Sequence, residues 1–245
     1  MKLRKMVIGL EVILFFAAYF VAKQPITPEL GLIASISVVL FAVPSYWATV
    51  KSLGKRRGLL LLAALGIYTL FIESLALKTG FPYGDFTYTD VLGNKVFGLT
   101  PWTVAFAYPP LLLLTYWYAR MRHSNRWKIY FSTAFDAMLL DLVLDPAAVR
   151  LGFWYWDKPG FYYQVPLINF LGWLLTGYIG AIILHYLWGR TPKPTLPVAY
   201  SGLLILWFWT SVNVWLLQIV PALLGLLISV FLTRYVLYKN STITP

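Results

Sequence analysis

Few residues in this chain can do acid–base chemistry, and several of them stand where charge is least welcome. The chain holds nine acidic residues in 245. Asp136, Asp141 and Asp145 lie together in one apolar run and Glu73 lies in another. A carboxylate inside hydrocarbon is expensive, so an acid kept there is expected to bind, to handle a proton or to pair. Asp141 and Asp145 are four apart and share a helix face, whereas Asp136 lies about 140° round from Asp141. Pro146 disfavours helical geometry at Asp145, which is therefore expected near the helix end, either capping it, pairing with Arg150 or serving catalysis. For Asp136 a structural hydrogen bond to a neighbouring helix competes with a functional role, and Glu11 is expected to reach a basic residue near its own end of the first run. Asp141 and Glu73 are the preferred catalytic residues.

Desolvation disfavours the charged form of a carboxyl, so an acid in apolar surroundings can stay neutral at ordinary pH. A neutral acid suits electrophilic chemistry on an alkene, which needs a proton donor and then surroundings that tolerate a carbocation. Aromatic faces attract cations, and the chain has 11 Trp, 17 Tyr and 16 Phe. Most of these must serve interfacial anchoring and packing. Tyr88, Trp102, Trp154, Trp156 and Trp173 are singled out as substrate-binding candidates because they belong to the acid-bearing units. Asn169, Trp173 and Thr176 share one helix face by their spacing, so the Asn169 amide can orient a water or a hydroxyl, or cap a neighbouring helix. His185 reads as a packed or headgroup-contacting histidine.

Other chemistries find little support. There is no cysteine and only two histidines, His123 and His185, so thiolate chemistry and a histidine-rich metal centre are excluded. No metal site and no cofactor are expected. The Asp141-x-x-x-Asp145 spacing is shared with intramembrane prenyltransferases that hold diphosphate through Mg²⁺, but the second acidic cluster they require is missing. No phosphate loop, nucleophile elbow or HExxH pattern occurs.

The elements that must position these residues are membrane helices. A hydrophobic share of 60%, a charged share of 12% and a mean hydropathy of +0.71 lie far from the soluble norm of roughly a quarter charged. The fold class expected is an all-α integral membrane protein, a single polytopic domain over residues 1–245. Apolar segments able to cross a core of roughly 30 Å occur at about 6–22, 30–50, 58–78, 101–119, 127–146, 166–188, 198–217 and 220–238. That makes eight spans, the last two divided only around Pro221. With the N-terminus cytoplasmic, fifteen Lys and Arg fall inside and five outside, a strong positive-inside bias that also needs the C-terminus cytoplasmic. The net charge of +11 thus reflects topology and contact with the bilayer's headgroups, not nucleic-acid binding. The basic N-terminus reads as a retained first span of a cell-membrane protein, because no small-residue cleavage site follows. The loops 79–100 and 147–165, rich in Gly, Pro and aromatics, are expected as ordered caps on the outer face, and the tail from Asn240 is expected to fray.

A repeat organises the middle of the chain. Glu73 precedes Phe86-Thr87-Tyr88 by thirteen residues and Asp141 precedes Trp154-Tyr155-Trp156 by thirteen. Each unit then runs to a proline expected to open the next helix, Pro101 in the first and Pro166 in the second. The units, about 58–119 and 127–188, have the same orientation and read as parallel repeats about an axis along the membrane normal. Glu73 and Asp141 each fall about five residues past their helix centres, roughly 7–8 Å at 1.5 Å per residue, so both can face one cavity.

The stretches FPYGDFTYTDVLGNKVFGLTPW, DLVLDPAAVRLGFWYW and VPLINFLGWLLTG together resemble the carotenoid 1,2-hydratase family of the bisanhydrobacterioruberin hydratase type, over about residues 68–178. The resemblance implies a multi-span enzyme that adds water across the terminal C1–C2 double bond of an acyclic C40 or C50 carotenoid, leaving a tertiary alcohol. It also implies kinship with membrane lycopene cyclases, whose proline-leucine-glutamate-glutamate motifs would fall at Pro101-Trp102-Thr103-Val104 and Pro166-Leu167-Ile168-Asn169. Both acidic pairs are missing here, which argues against cyclisation. The common family form has serine where Ile168 stands. The roles follow from the residues themselves: with Asp145 a like charge one turn away keeping it neutral, Asp141 is expected to protonate the alkene, with Asp145 next in line, Glu73 at matched depth to act as base and Asn169 to place the water. The alternatives are a carotenoid cyclase and a lipid or proton transporter. The identity of the carotenoid, the number of ends hydrated and the oligomeric state are not legible in the sequence.

Overall fold

The computed structural model describes residues 2–24, 27, 31–190 and 192–241, with side chains described within 9–236. Residue 30, where the second span was expected to begin, and the tail from residue 242 lie outside the described residues, as do the side chains of Lys2, Arg4, Lys5 and Lys239. Eight α-helices are present among the described residues: α1 (Lys2–Lys23), α2 (Gly31–Leu53), α3 (Lys55–Thr79), α4 (Val104–Arg122), α5 (Arg126–Arg150), α6 (Leu167–Trp188), α7 (Tyr200–Trp215) and α8 (Ile219–Ser241). The fold is all-α and membrane-embedded. Five helical segments meet a demanding standard of length and apolarity for crossing a bilayer: α2, α3, α6, α8, and α7 with the turn before it.

Two expected boundaries shift. Pro101 does not open a helix: Thr100–Pro101 (β3) pairs antiparallel with Lys95–Val96 (β2), and α4 begins at Val104. The fifth helix does not end at Pro146 but continues to Arg150. A proline inside a helix removes one N–H and orphans the carbonyl four residues back, and here that carbonyl finds a partner. The Tyr162 hydroxyl donates to Leu142 O at 2.9 Å, and the Asn213 amide donates to Val143 O at 2.8 Å. Burial, with Tyr163 beside it, pushes the Tyr162 phenol up to about 12, so it remains a donor. In α4 the same device recurs, the Tyr46 hydroxyl donating at 2.7 Å to Ala105 O, which Pro109 leaves free.

The core lies between α3, α4, α5 and α6, with α7 behind. Two loop segments cover one end of this bundle. Phe86–Tyr88 (β1) pairs antiparallel with Trp154–Trp156 (β4), with Thr87 opposite Tyr155 at the centre of the register. The Trp156 indole donates to Tyr83 O at 2.9 Å, fastening the ribbon to the turn after α3. That turn presses onto α6 at Gly172, where a Cβ would stand 2.5 Å from the Tyr83 ring and 2.7 Å from Pro82 O. No larger residue fits between them.

Candidate active site

Beneath the ribbon is a cavity of about 580 Å³, walled by side chains from α1, α2, α3, α4, α5, α6, α7 and both loops. Its wall is mostly apolar and aromatic, and its polar side chains include Glu73, Asp145 and Asn169. Each is delivered by a different helix. Glu73 rides on α3 one turn and a half from its end, Asp145 on α5 just before Pro146, and Asn169 in the first turn of α6.

Asn169 is the keystone of the polar cluster. Buried to 2% exposure, its amide donates to Asp141 Oδ2 at 2.7 Å and to Asp145 Oδ2 at 2.6 Å. Both hydrogens of the amide are thereby used, each on a carboxyl, which fixes the orientation of the side chain. Asp141 and Asp145 are 0% and 4% exposed and within hydrogen-bonding reach of each other, as expected one turn apart on a single face. No Lys or Arg forms an ion pair with either among the described residues. Two carboxyls this close in a low-dielectric site cannot both ionise cheaply, so a proton shared between them is the stable arrangement. Asp141 Oδ1 has no hydrogen-bond partner among the described residues. Across the cavity the Tyr88 hydroxyl donates to Glu73 Oε2 at 3.0 Å. Burial and the neighbouring Glu73 carboxyl hold the Tyr88 phenol well above its ordinary range, so it stays protonated and keeps donating. Glu73 is half-buried because the surface it retains faces this cavity.

The sequence-derived candidates divide as follows. Glu73, Asp145, Asn169, Tyr88, Trp154, Trp156 and Trp173 all line the cavity. Asp141 sits immediately behind Asp145, out of the wall itself. Trp102 is 37% exposed, packs edge-on against Phe106 and is not part of the wall; the late start of α4 leaves it in the loop. Asp145 neither caps a helix end nor pairs with Arg150, because the helix runs on through Pro146. Asp136 makes its contacts elsewhere, with Arg122 of α4 and with Ser132, and stays outside the cavity. Among the described residues Glu11 accepts from the Thr233 hydroxyl at 3.2 Å; the basic side chains of Lys2, Arg4 and Lys5, which it was expected to reach, lie outside them.

Among the wall residues that escaped the sequence reading are Tyr83, Tyr108 and Trp209. Tyr83 and Tyr108 both bond to the Thr176 hydroxyl at 3.1 Å, and the Tyr108 ring meets Trp173 edge-to-face at 4.7 Å. A signal for Tyr108 was present, since it follows Pro101 by seven residues as Trp173 follows Pro166. No such signal marks Trp209, which comes from α7, outside both units.

Residues 30–232 match the family described as carotenoid biosynthesis protein. The chain belongs to that family. It is also 39% identical over 135 residues to bisanhydrobacterioruberin hydratase of Haloarcula japonica, a match covering 54% of this chain and 46% of the relative. The chain thus spans about half the length of the curated relative it matches. No solved structure matches.

Proposed function

We propose that this protein is a membrane hydratase that adds water to the terminal C1–C2 double bond of an acyclic carotenoid. The observation that carries this reading is the placement of carboxyls, without an ion pair among the described residues, in the wall of an aromatic cavity. Family membership and the likeness to a hydratase support it. In the reaction, a shared proton of the Asp141–Asp145 pair passes from the Asp145 face to C2. The π electrons form the new C–H bond, leaving a tertiary cation at C1. Water attacks C1, and its surplus proton goes to the Glu73 carboxylate. Proton exchange between the carboxyls through water restores the start, so one water is added and nothing else is consumed. Asp141 serves as the reservoir behind Asp145, and the Asn169 amide holds both for transfer. General acid catalysis of this kind contributes about 10²–10⁴-fold. Trp154, Trp156, Trp173 and Tyr108 line the cavity, where aromatic rings stabilise a cation without offering a base that would eliminate a proton back to alkene.

The two halves are further inferred to be parallel repeats, about 58–119 and 127–188. Supporting this, equivalent residues come together: Phe86-Thr87-Tyr88 pairs with Trp154-Tyr155-Trp156 about the central Thr87–Tyr155 pair, and Tyr108 meets its counterpart Trp173. All eight helices are read as crossings of the cell membrane, with both termini cytoplasmic.

The deciding experiment is expression in a host that accumulates acyclic carotenoids, followed by mass analysis of the pigments. Product heavier by one water is the expected result. A product of unchanged mass with shifted absorption would make the protein a cyclase, and pigment left untouched by detergent-solubilised protein would favour transport.

A further inference from the structure

The cavity wall runs out to exposed residues of α1 and α2, Phe20 and Ile33 among them, and the way those helices are anchored keeps them apart. The Trp207 and Trp215 indoles of α7 donate to Glu11 O at 2.7 Å and to Phe15 O at 2.8 Å, tying α1 along α7. On α2, Ser45 and Ser201 exchange backbone-to-hydroxyl hydrogen bonds at 2.9 and 3.0 Å, tying that helix to the start of α7. Each helix is thus fastened to α7 and not to the other, and α1 and α2 make no extended contact among the described residues. Phe208 and Trp209 of α7 close the back of the gap.

Ala17 and Phe20 of α1 and Ile33, Ala34 and Val38 of α2 all belong to the cavity wall. The rim beyond them is apolar: Ile13, Phe16, Ile36 and Leu40 are all exposed. Exposed apolar side chains on helices of spanning length face hydrocarbon, since in water a patch of this kind would associate. The mouth therefore opens into lipid. With the ribbon and its turn covering the loop end, the direct route from outside to Glu73 and Asp145 is sideways from the bilayer.

We propose that the gap between α1 and α2 is a lateral portal through which one end of a linear polyene enters, while the rest of the polyene stays in the bilayer. This rests on the hydratase reading. A conjugated chain is too stiff to double back, so both of its ends cannot reach one acid cluster in a single encounter. A symmetric substrate is then hydrated at its two ends in separate encounters, and the singly hydrated carotenoid is released between them.

The chain has no cysteine, so a bridge can be placed across the portal without background. The double variant Ala17→Cys/Ala34→Cys, reconstituted in liposomes with an acyclic carotenoid, is treated with a reducible bis-thiosulfonate cross-linker. Expected are a loss of product formation of more than about tenfold on cross-linking and recovery on reduction, the recovery showing that the fold was intact. Cross-linking after the carotenoid is added should trap pigment with the purified protein. The pair Phe20→Cys/Ile33→Cys provides a second bridge. Full turnover with either bridge verified by mass overturns the portal while leaving the hydratase reading intact; absence of hydrated product from the unmodified protein defeats that reading instead. In a time course with excess carotenoid, singly hydrated pigment should appear first and free of protein. Doubly hydrated pigment from the earliest turnovers would overturn the separate encounters.

Discussion

At the scale of single residues, the polar cluster divides into groups that touch substrate and groups that hold them. Glu73 and Asp145 are in the wall, so Glu73→Gln and Asp145→Asn, which keep shape and remove the titratable proton, should each lower turnover by about 10²–10⁴-fold. The check is pigment analysis on protein shown to be folded by its elution from a sizing column. Asp141→Asn should leave a measurable residue of activity, because Asp145 retains direct access to the alkene. Equal silencing by Asp141→Asn and Asp145→Asn would make the pair a single unit with no division of labour. Asn169→Leu removes the amide that donates to both carboxyls; stranding buried acceptors in this way costs about 1–3 kcal/mol, read as a lower thermal midpoint together with lost turnover. Asp136→Asn, which disturbs the contact with Arg122 outside the cavity, and Glu11→Gln should leave most of the activity in place.

At the scale of elements, the decisive feature is that α5 continues through Pro146. If the helix stopped there, Asp145 would leave the face it shares with Asp141 and the Asn169 bridge could not form. Tyr162 makes the continuation tolerable by donating to the Leu142 carbonyl. Tyr162→Phe should therefore destabilise the protein by about 1 kcal/mol and lower turnover as well, measured as a thermal midpoint in detergent and as product formed by the same preparation. Unchanged values for both would show that the helix needs no cap there. The close seat of the Tyr83 turn on α6 gives a second element-level test. Gly172→Val inserts bulk where a single Cβ would already lie 2.5 Å from Tyr83, so it should shift the turn, loosen the ribbon and reduce activity while the far end of the bundle stays folded.

For the whole molecule, the arrangement of basic residues calls for eight crossings with both termini inside. Reporter fusions after Ala119, Gly160 and Lys239 should read cytoplasmic, external and cytoplasmic, and an external reading at Lys239 would mean that the stretch around Pro221 does not turn back. The class of the fold was legible because bilayer solvation imposes a length and an apolarity that any reader of the chain can measure. The acids were legible too, since charge in such runs is rare enough to be noticed one residue at a time; the thirteen-residue spacing marked Phe86–Tyr88 and Trp154–Trp156 as equivalent positions, but not that they pair with each other. Other features came only with the tertiary structure. That Asp145 and not Asp141 lies in the cavity wall depends on a hydroxyl from the next loop rescuing a proline-orphaned carbonyl, an interaction between Tyr162 and Leu142 across twenty residues. Trp102 falls outside because a two-residue strand pairing holds Pro101 away from α4. The inclusion of Trp209 and the gap between α1 and α2 depend on which helix each neighbour is fastened to. Composition and spacing determine which residues need a partner; only packing determines which partner they find.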